Sequence, residues 1–291
     1  MDQIEDLWPK HNEINYTFPG NEVMLKNLMV HLDQSPRCET RLKIAAALAK
    51  ANGARLVGVF AQKSLAKQAG GISSWPPEEY VKASQESKKT FESATQGLNA
   101  EWVDTNRGSD SAVLALVSEK ARYFDLVIMG QYEESGLNFV PAELVEEVLT
   151  NAGRPVLIIP YVGEFSGSFK HPLLAWNASS QAAHALNDAL PLILNCDQAV
   201  VLAFDSSFDR AEASCKEVAV QLSCHGIKSK TEAMIIDDIG VMDMLLNNAC
   251  DQGADLLVMG AHSHIGFPFI SRGAGTRHIL KTMVLPVLMS S

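Results

Sequence analysis

Asp125-Leu-Val-Ile-Met-Gly130 returns 130 residues later as Asp255-Leu-Leu-Val-Met-Gly260. Each copy is an apolar run, unbroken by polar residues, between an aspartate and a glycine. Strands that read this way are covered on both faces, as in a parallel sheet. Outward from this pair the repeat continues: Pro155-Val-Leu-Ile-Ile159 recurs as Pro286-Val-Leu-Met-Ser290. Near the start of each half an apolar run meets a polar turn, Leu28 to Leu32 before Asp33-Gln34-Ser35, and Leu173 to Trp176 before Asn177-Ala178-Ser179. A period of this length is far too long for a solenoid and reads as duplication of one compact domain.

Within each half, short apolar runs (55–60, 126–129, 156–159, 200–204, 256–259) alternate with segments of helical spacing. Arg41 to Ala51 is rich in helix formers and closes at Gly53, and Gln181 to Leu194 is its counterpart. Residues 113–121 and 241–249 are helices that precede the repeated strand. This alternation predicts right-handed β-α-β crossovers, hence an α/β fold of two tandem Rossmann-like or flavodoxin-like domains. Each would be an open parallel sheet with helices on both faces, and the two would pack as a pseudo-dimer within one chain. The expected divisions are an irregular arm over 1–23, a first domain over 24–162 and a second over 163–291. The stretch from Tyr161 to Lys170 reads as the linker, and residues 64–77, with Trp75, as a loop excursion.

The chain has 291 residues, 47% of them hydrophobic and 20% charged, so each half can bury a core. With 24 basic against 34 acidic residues and a net charge of −10, it lacks the basic face of a nucleic-acid binder. No secretory signal opens the sequence and no apolar run reaches membrane-spanning length, so a cytoplasmic location is expected. The five cysteines are scattered and contain no C-x-x-C pair, which argues against a disulfide framework or a thiolate metal site.

Open α/β sheets bind ligands beyond the carboxyl ends of their strands. After Gly260 the sequence runs Ala-His262-Ser263-His264 and on to a Gly273-Ala274-Gly275-Thr276 turn that opens a helix. Glycines allow close backbone approach, and a helix start offers free N–H groups to phosphate. The equivalent segment after Gly130 carries Glu133, Glu134, Glu143, Glu146 and Glu147, which would repel a polyphosphate. The bland readings are turn glycines, solvated histidines, a core-filling Trp176 and a solvated glutamate face over 143–147. His262, His264 and His278 form a metal trio only on paper, because no carboxylate or cysteine has ligand spacing with them. Neither P-loop, nucleophile-elbow nor zinc-protease motifs occur, and Cys224-His225 are neighbours in sequence only.

At these residues the chain resembles the universal stress protein family in its tandem form, over about residues 24–291. ATP-binding members carry G-x2-G-x9-G-[S/T] after the fourth strand and an aspartate ending the first. On this sequence the motif falls on Gly260, Ser263 in place of the second glycine, Gly273, and Ala274 in place of Ser/Thr, with Thr276 two residues later. The first-strand aspartate is Asn177 in the second half and Asp33 in the first. The resemblance implies a non-catalytic stress-response protein that senses adenine nucleotide through its second domain. Asn177, Gly260, His262, Ser263, Gly273, Ala274, Gly275 and Thr276 would hold ATP, with or without Mg²⁺. Its partners would then be the nucleotide, a further protein or a second copy of the chain, with no nucleic acid and no membrane. The alternatives are an interaction protein of the same family that binds no nucleotide, and a slow ATP hydrolase.

Overall fold

The computed structural model describes residues 25–63, 76–105, 109–134, 139–235, 240–262 and 273–291. The arm over 1–23, Trp75, Ser263 and His264 lie outside the described residues. The first half runs β1 (Asn27–Leu32), α1 (Cys38–Asn52), β2 (Arg55–Phe60), α2 (Glu78–Ala94), β3 (Ala100–Asp104), α3 (Asp110–Ala121), β4 (Leu126–Gly130), α4 (Leu144–Asn151) and β5 (Val156–Ile159). The second repeats the order as β6 (Pro172–Trp176), α5 (Ser180–Ile193), β7 (Ala199–Asp205), α6 (Phe208–Cys224), β8 (Ser229–Ile235), α7 (Val241–Asp251), β9 (Leu256–Gly260), α8 (Ala274–Thr282) and β10 (Val287–Ser290).

The open, mostly parallel α/β architecture expected from the apolar runs is present, and the two halves share one sheet. Its order is β3-β2-β1-β4-β5-β10-β9-β6-β7-β8. All neighbours are parallel except β5 and β10, which pair antiparallel with Leu157 opposite Leu288. The sequence gives no sign of this fusion, because both strands read as buried parallel strands. One apolar layer joins α1, α2, α5 and α6 to one face of the sheet, and the other joins α3, α4, α7 and α8 to the opposite face. Both layers run through both halves, so neither half has a core of its own.

The repeated aspartate has a structural task. Asp125 Oδ2 accepts from the backbone N–H groups of Lys26 and Asn27 at 2.8 and 2.9 Å. Asp255 does the same for Lys170 and His171 at 2.6 and 3.0 Å. Each thereby satisfies the donors at the start of the neighbouring first strand of its half. Gly53, φ +58°, closes α1 in the left-handed conformation as its sequence position predicts.

The edge strands β3 and β8 are absent from the apolar runs read in the sequence. They are half-exposed and carry charge, for example Lys230 and Glu232, because only one neighbour covers them. The linker packs against α1: Arg37 donates to the Gly163 carbonyl, and Gly167 lies against Ile44.

Candidate functional site

The carboxyl ends of β1 and β4 in the first half, and of β6 and β9 in the second, form equivalent places that are filled differently. Strand register aligns them, since Leu28 pairs with Leu126 and Pro172 with Leu256. On that alignment His31 corresponds to Ala175 and Arg41 to Ala185.

In the first half these two side chains occupy the space. Arg41 is 3% exposed; its Nε donates to the His31 carbonyl at 2.7 Å and its Nη2 lies 3.1 Å from Asp33 Oδ2. The guanidinium passes so close over Gly130 that a Cβ there would lie 2.1 Å from Nη1. Asp33 Oδ1 also accepts from Ser35 N at 2.8 Å and from Ser35 Oγ at 2.5 Å. The Arg41 charge, with His31 and the Ser35 donors, holds the Asp33 carboxyl below its usual range against the cost of burial. Burial holds the His31 imidazole down at about 4, so the ring is neutral near pH 7 and its Nε2–H donates to the Ala61 carbonyl at 2.8 Å. The aspartate that the motif retains is thus committed to an internal ion pair. A cavity of about 290 Å³ remains beside it, with Met129, Leu144, Ile159, Gln34, Tyr132 and Tyr161 in its lining.

In the second half alanines stand at both places, and the cavity is smaller and lined by no charged side chain among the described residues. A cavity opens between Ala175, Trp176 and Asn177 after β6, Phe204 on β7, Val241, Met242 and Leu245 on α7, and Met259 and Gly260 on β9. His262, Gly273, Gly275 and Thr276 close its far side. With no arginine interposed, the first turn of α5 lies directly on the strand, and a Cβ at Gly260 would come within 2.7 Å of Gln181 C and Ala182 N. The enclosed part measures about 80 Å³, below the several hundred Å³ of a site that swallows a whole small ligand. A flat ring suits it, with the rest of a ligand lying outside.

Two non-glycine residues among the described ones have φ in the left-handed region, Ala178 at +55° and His262 at +54°. They sit in the two turns that bound this cavity. Such conformations cost about 1–3 kcal/mol each and gather at functional sites. The His262 N–H donates to Thr276 Oγ1 at 2.9 Å, tying the turn after β9 to the first turn of α8. Gly273 caps α8 at φ +77°, with the His262 ring 3.0 Å from where its Cβ would stand.

Of the residues singled out in the sequence, Asn177, Gly260, His262, Gly273, Gly275 and Thr276 line this one cavity. Ala274 opens α8 without lining it. Asn177 Oδ1 is engaged locally, accepting from Ser179 N at 3.3 Å and Ser179 Oγ at 2.6 Å, the same turn that Asp33 makes with Ser35. Trp176, read as core filling, does both: its ring packs against the core and lines the cavity, and Nε1 donates to Ser214 Oγ at 2.5 Å. Among the described residues no three of His, Cys, Asp or Glu are placed to hold a metal, and His278 Nε2 meets Asp243 Oδ1 at 2.7 Å. The glutamates after Gly130 are only partly a solvated face. Glu143 is exposed, but Glu146 pairs with Arg277 at 3.7 Å and Glu134 with Lys281 at 2.8 Å, both across the junction of the halves. Sequence reading missed Phe204, Met242 and Leu245, which come from three-dimensional neighbours. The Arg41–Ala185 contrast was open to it through residue-by-residue alignment of the halves.

Residues 24–160 match the universal stress protein family. That segment belongs to it. A universal stress protein from Archaeoglobus fulgidus, 14% identical, superposes with a TM-score of 0.68 over 91% of this chain and 98% of its own. A Pseudomonas aeruginosa protein of unknown function, 15% identical, superposes at 0.57 over 91% and 92%. At these identities the likeness is one of fold: the chain carries the universal stress protein fold in tandem. A further Archaeoglobus fulgidus universal stress protein, in complex with dAMP, is 19% identical over 46% of this chain and 98% of its own, with a TM-score of 0.32. No curated protein matches the chain. Among the described residues no helix is long and apolar enough to cross a membrane.

Proposed function

We propose that this chain is a universal stress protein acting as a non-catalytic adenine-nucleotide sensor of the cytoplasm, with one nucleotide site per chain, in the second of two domains divided at 162/163. The observation that carries the reading is the second-half cavity, an apolar slot beneath Trp176, Phe204 and Met242 that ends at the glycine-bounded amino terminus of α8. A slot of that shape suits an adenine ring. The N–H groups from Gly273 to Thr276 and the positive end of the helix suit the phosphates. Ser263 and Ala274 would contribute backbone N–H groups, and Asn177 would contact the sugar or base. Neither aspartate nor glutamate lines the slot among the described residues, so Mg²⁺ would enter on the phosphates rather than on protein.

Calorimetric titration of nucleotide-stripped protein with ATP, with and without Mg²⁺, tests the reading. Saturation at one site per chain in the micromolar range, about −8 kcal/mol, is expected. Met242→Trp, which fills the slot, should abolish it without unfolding the chain. Absence of heat at millimolar ATP would overturn it. The second reading, an interaction protein that binds no nucleotide, draws on the small enclosed volume and the engaged Asn177 carbonyl, and it would then stand.

A further inference from the structure

We infer that Arg277 is a phosphate-sensing residue whose resting partner lies in the other half of the chain. This inference rests on the nucleotide reading above and extends it to the regulation of the same site. Arg277 is in the first turn of α8, and its Nη1 lies 3.2 Å from the point where a Cβ of Gly273 would stand. It therefore borders the turn at which phosphates would arrive. The same nitrogen lies 3.7 Å from Glu146 Oε2, on α4 of the first half.

The guanidinium is thus within reach of Glu146 and of a phosphate that the ligand would deliver. Both groups are partly open to water, the side chains being 49% and 27% exposed, so the resting pair is weak and can be exchanged. A phosphate offers more charge and a bidentate geometry, which an arginine fork prefers. Nucleotide binding would draw Arg277 off Glu146 and release one of the contacts between the halves, while Lys281–Glu134 at the far end of α8 stays. At the 131-residue offset that relates α8 to α4, the position equivalent to Arg277 in the first half is Glu146 itself, so the first half has no counterpart to this device.

Reciprocity gives the test: if phosphate and Glu146 compete for Arg277, removing Glu146 must tighten phosphate binding. The experiment is calorimetric titration of the full chain with ATP and, separately, with adenosine. Glu146→Gln should tighten ATP by about two- to fivefold, the worth of a half-exposed ion pair. Arg277→Gln should weaken ATP by about tenfold, the loss of a charge-assisted contact. In the Arg277→Gln background, Glu146→Gln should change ATP affinity no further. None of these variants should alter adenosine binding. Unchanged or weaker ATP binding by Glu146→Gln, or an equal effect on adenosine, overturns the inference while wild-type binding keeps the nucleotide reading intact. A wild type that binds no ATP overturns both.

Discussion

His31, Asp33 and Arg41 show how three residues decide the character of a site. In the second half the same places hold Ala175, Asn177 and Ala185, which are small or uncharged, and the result is a small slot lined by no charged side chain among the described residues. In the first they form a buried set whose charges cancel internally. Such a set makes stability depend on pH. His31 is held down at about 4 in the fold against an ordinary 6.5, so the unfolded chain takes up a proton that the folded one refuses. Stability should therefore be full above pH 6.5 and fall by about 3 kcal/mol as pH drops to 4. Below that the depressed Asp33 carboxyl begins its own loss, in the same direction. Urea denaturation of wild type and His31→Gln between pH 4 and 7 checks this. The glutamine keeps a donor for the Ala61 carbonyl and cannot titrate, so its slope across that window should be flatter by that amount.

Helix α5 rests directly on β9, and its contrast with α1 is a contrast of wedges. Arg41 stands between α1 and Gly130, whereas the backbone of Gln181 and Ala182 meets Gly260 with nothing interposed. Gly260 is therefore needed for close packing of two elements. Gly260→Ala would force backbone against a Cβ at 2.7 Å, which should cost about 1–3 kcal/mol in urea denaturation at unchanged slope. It should also narrow the slot, so ATP affinity should fall with stability. A stability equal to wild type would show that α5 can lift freely from the strand. Two elements that sequence patterning did not single out, β3 and β8, are half-exposed edge strands whose polar and charged residues break up the apolar runs seen in the buried strands beside them.

The whole molecule is one ten-stranded sheet, and its two halves are tied at the seam by more than the β5–β10 pair. Gln131 Nε2 donates to the carbonyls of Leu280 and Lys281 at 3.0 and 3.2 Å, while its Oε1 accepts from Tyr161 N at 3.1 Å. It thus caps the carboxyl end of α8 from the first half. The repeat offers no equivalent, since the residue after Gly260 is Ala261; Ser291 Oγ instead donates to the Leu149 carbonyl of α4 at 2.6 Å. Gln131→Ala would leave three part-buried backbone groups unmet and should cost about 1–3 kcal/mol in urea denaturation. With apolar layers continuous across the seam, the loss should shift a single transition rather than split it in two. Separate transitions for the halves would contradict that continuity.

The sequence by itself determined the duplication, the parallel α/β class, most strands and helices, and the segment after Gly260 that comes to line the slot. These are properties of local pattern: unbroken apolar runs, helix formers closed by glycine, and a motif whose members lie within 17 residues from Gly260 to Thr276. Only the tertiary structure decided that the two sheets become one and that Asp33 is consumed by Arg41. It also decided that Phe204, Met242 and Leu245 wall the slot, and that Glu146 and Glu134 face basic residues of the other half. Apart from the Asp33–Arg41 pair, which the turn from β1 into α1 brings together, each of these depends on groups far apart in the chain meeting at one place. Spacing along the chain cannot express that, because the partner is chosen by sheet order and register, which the packing of the whole molecule fixes.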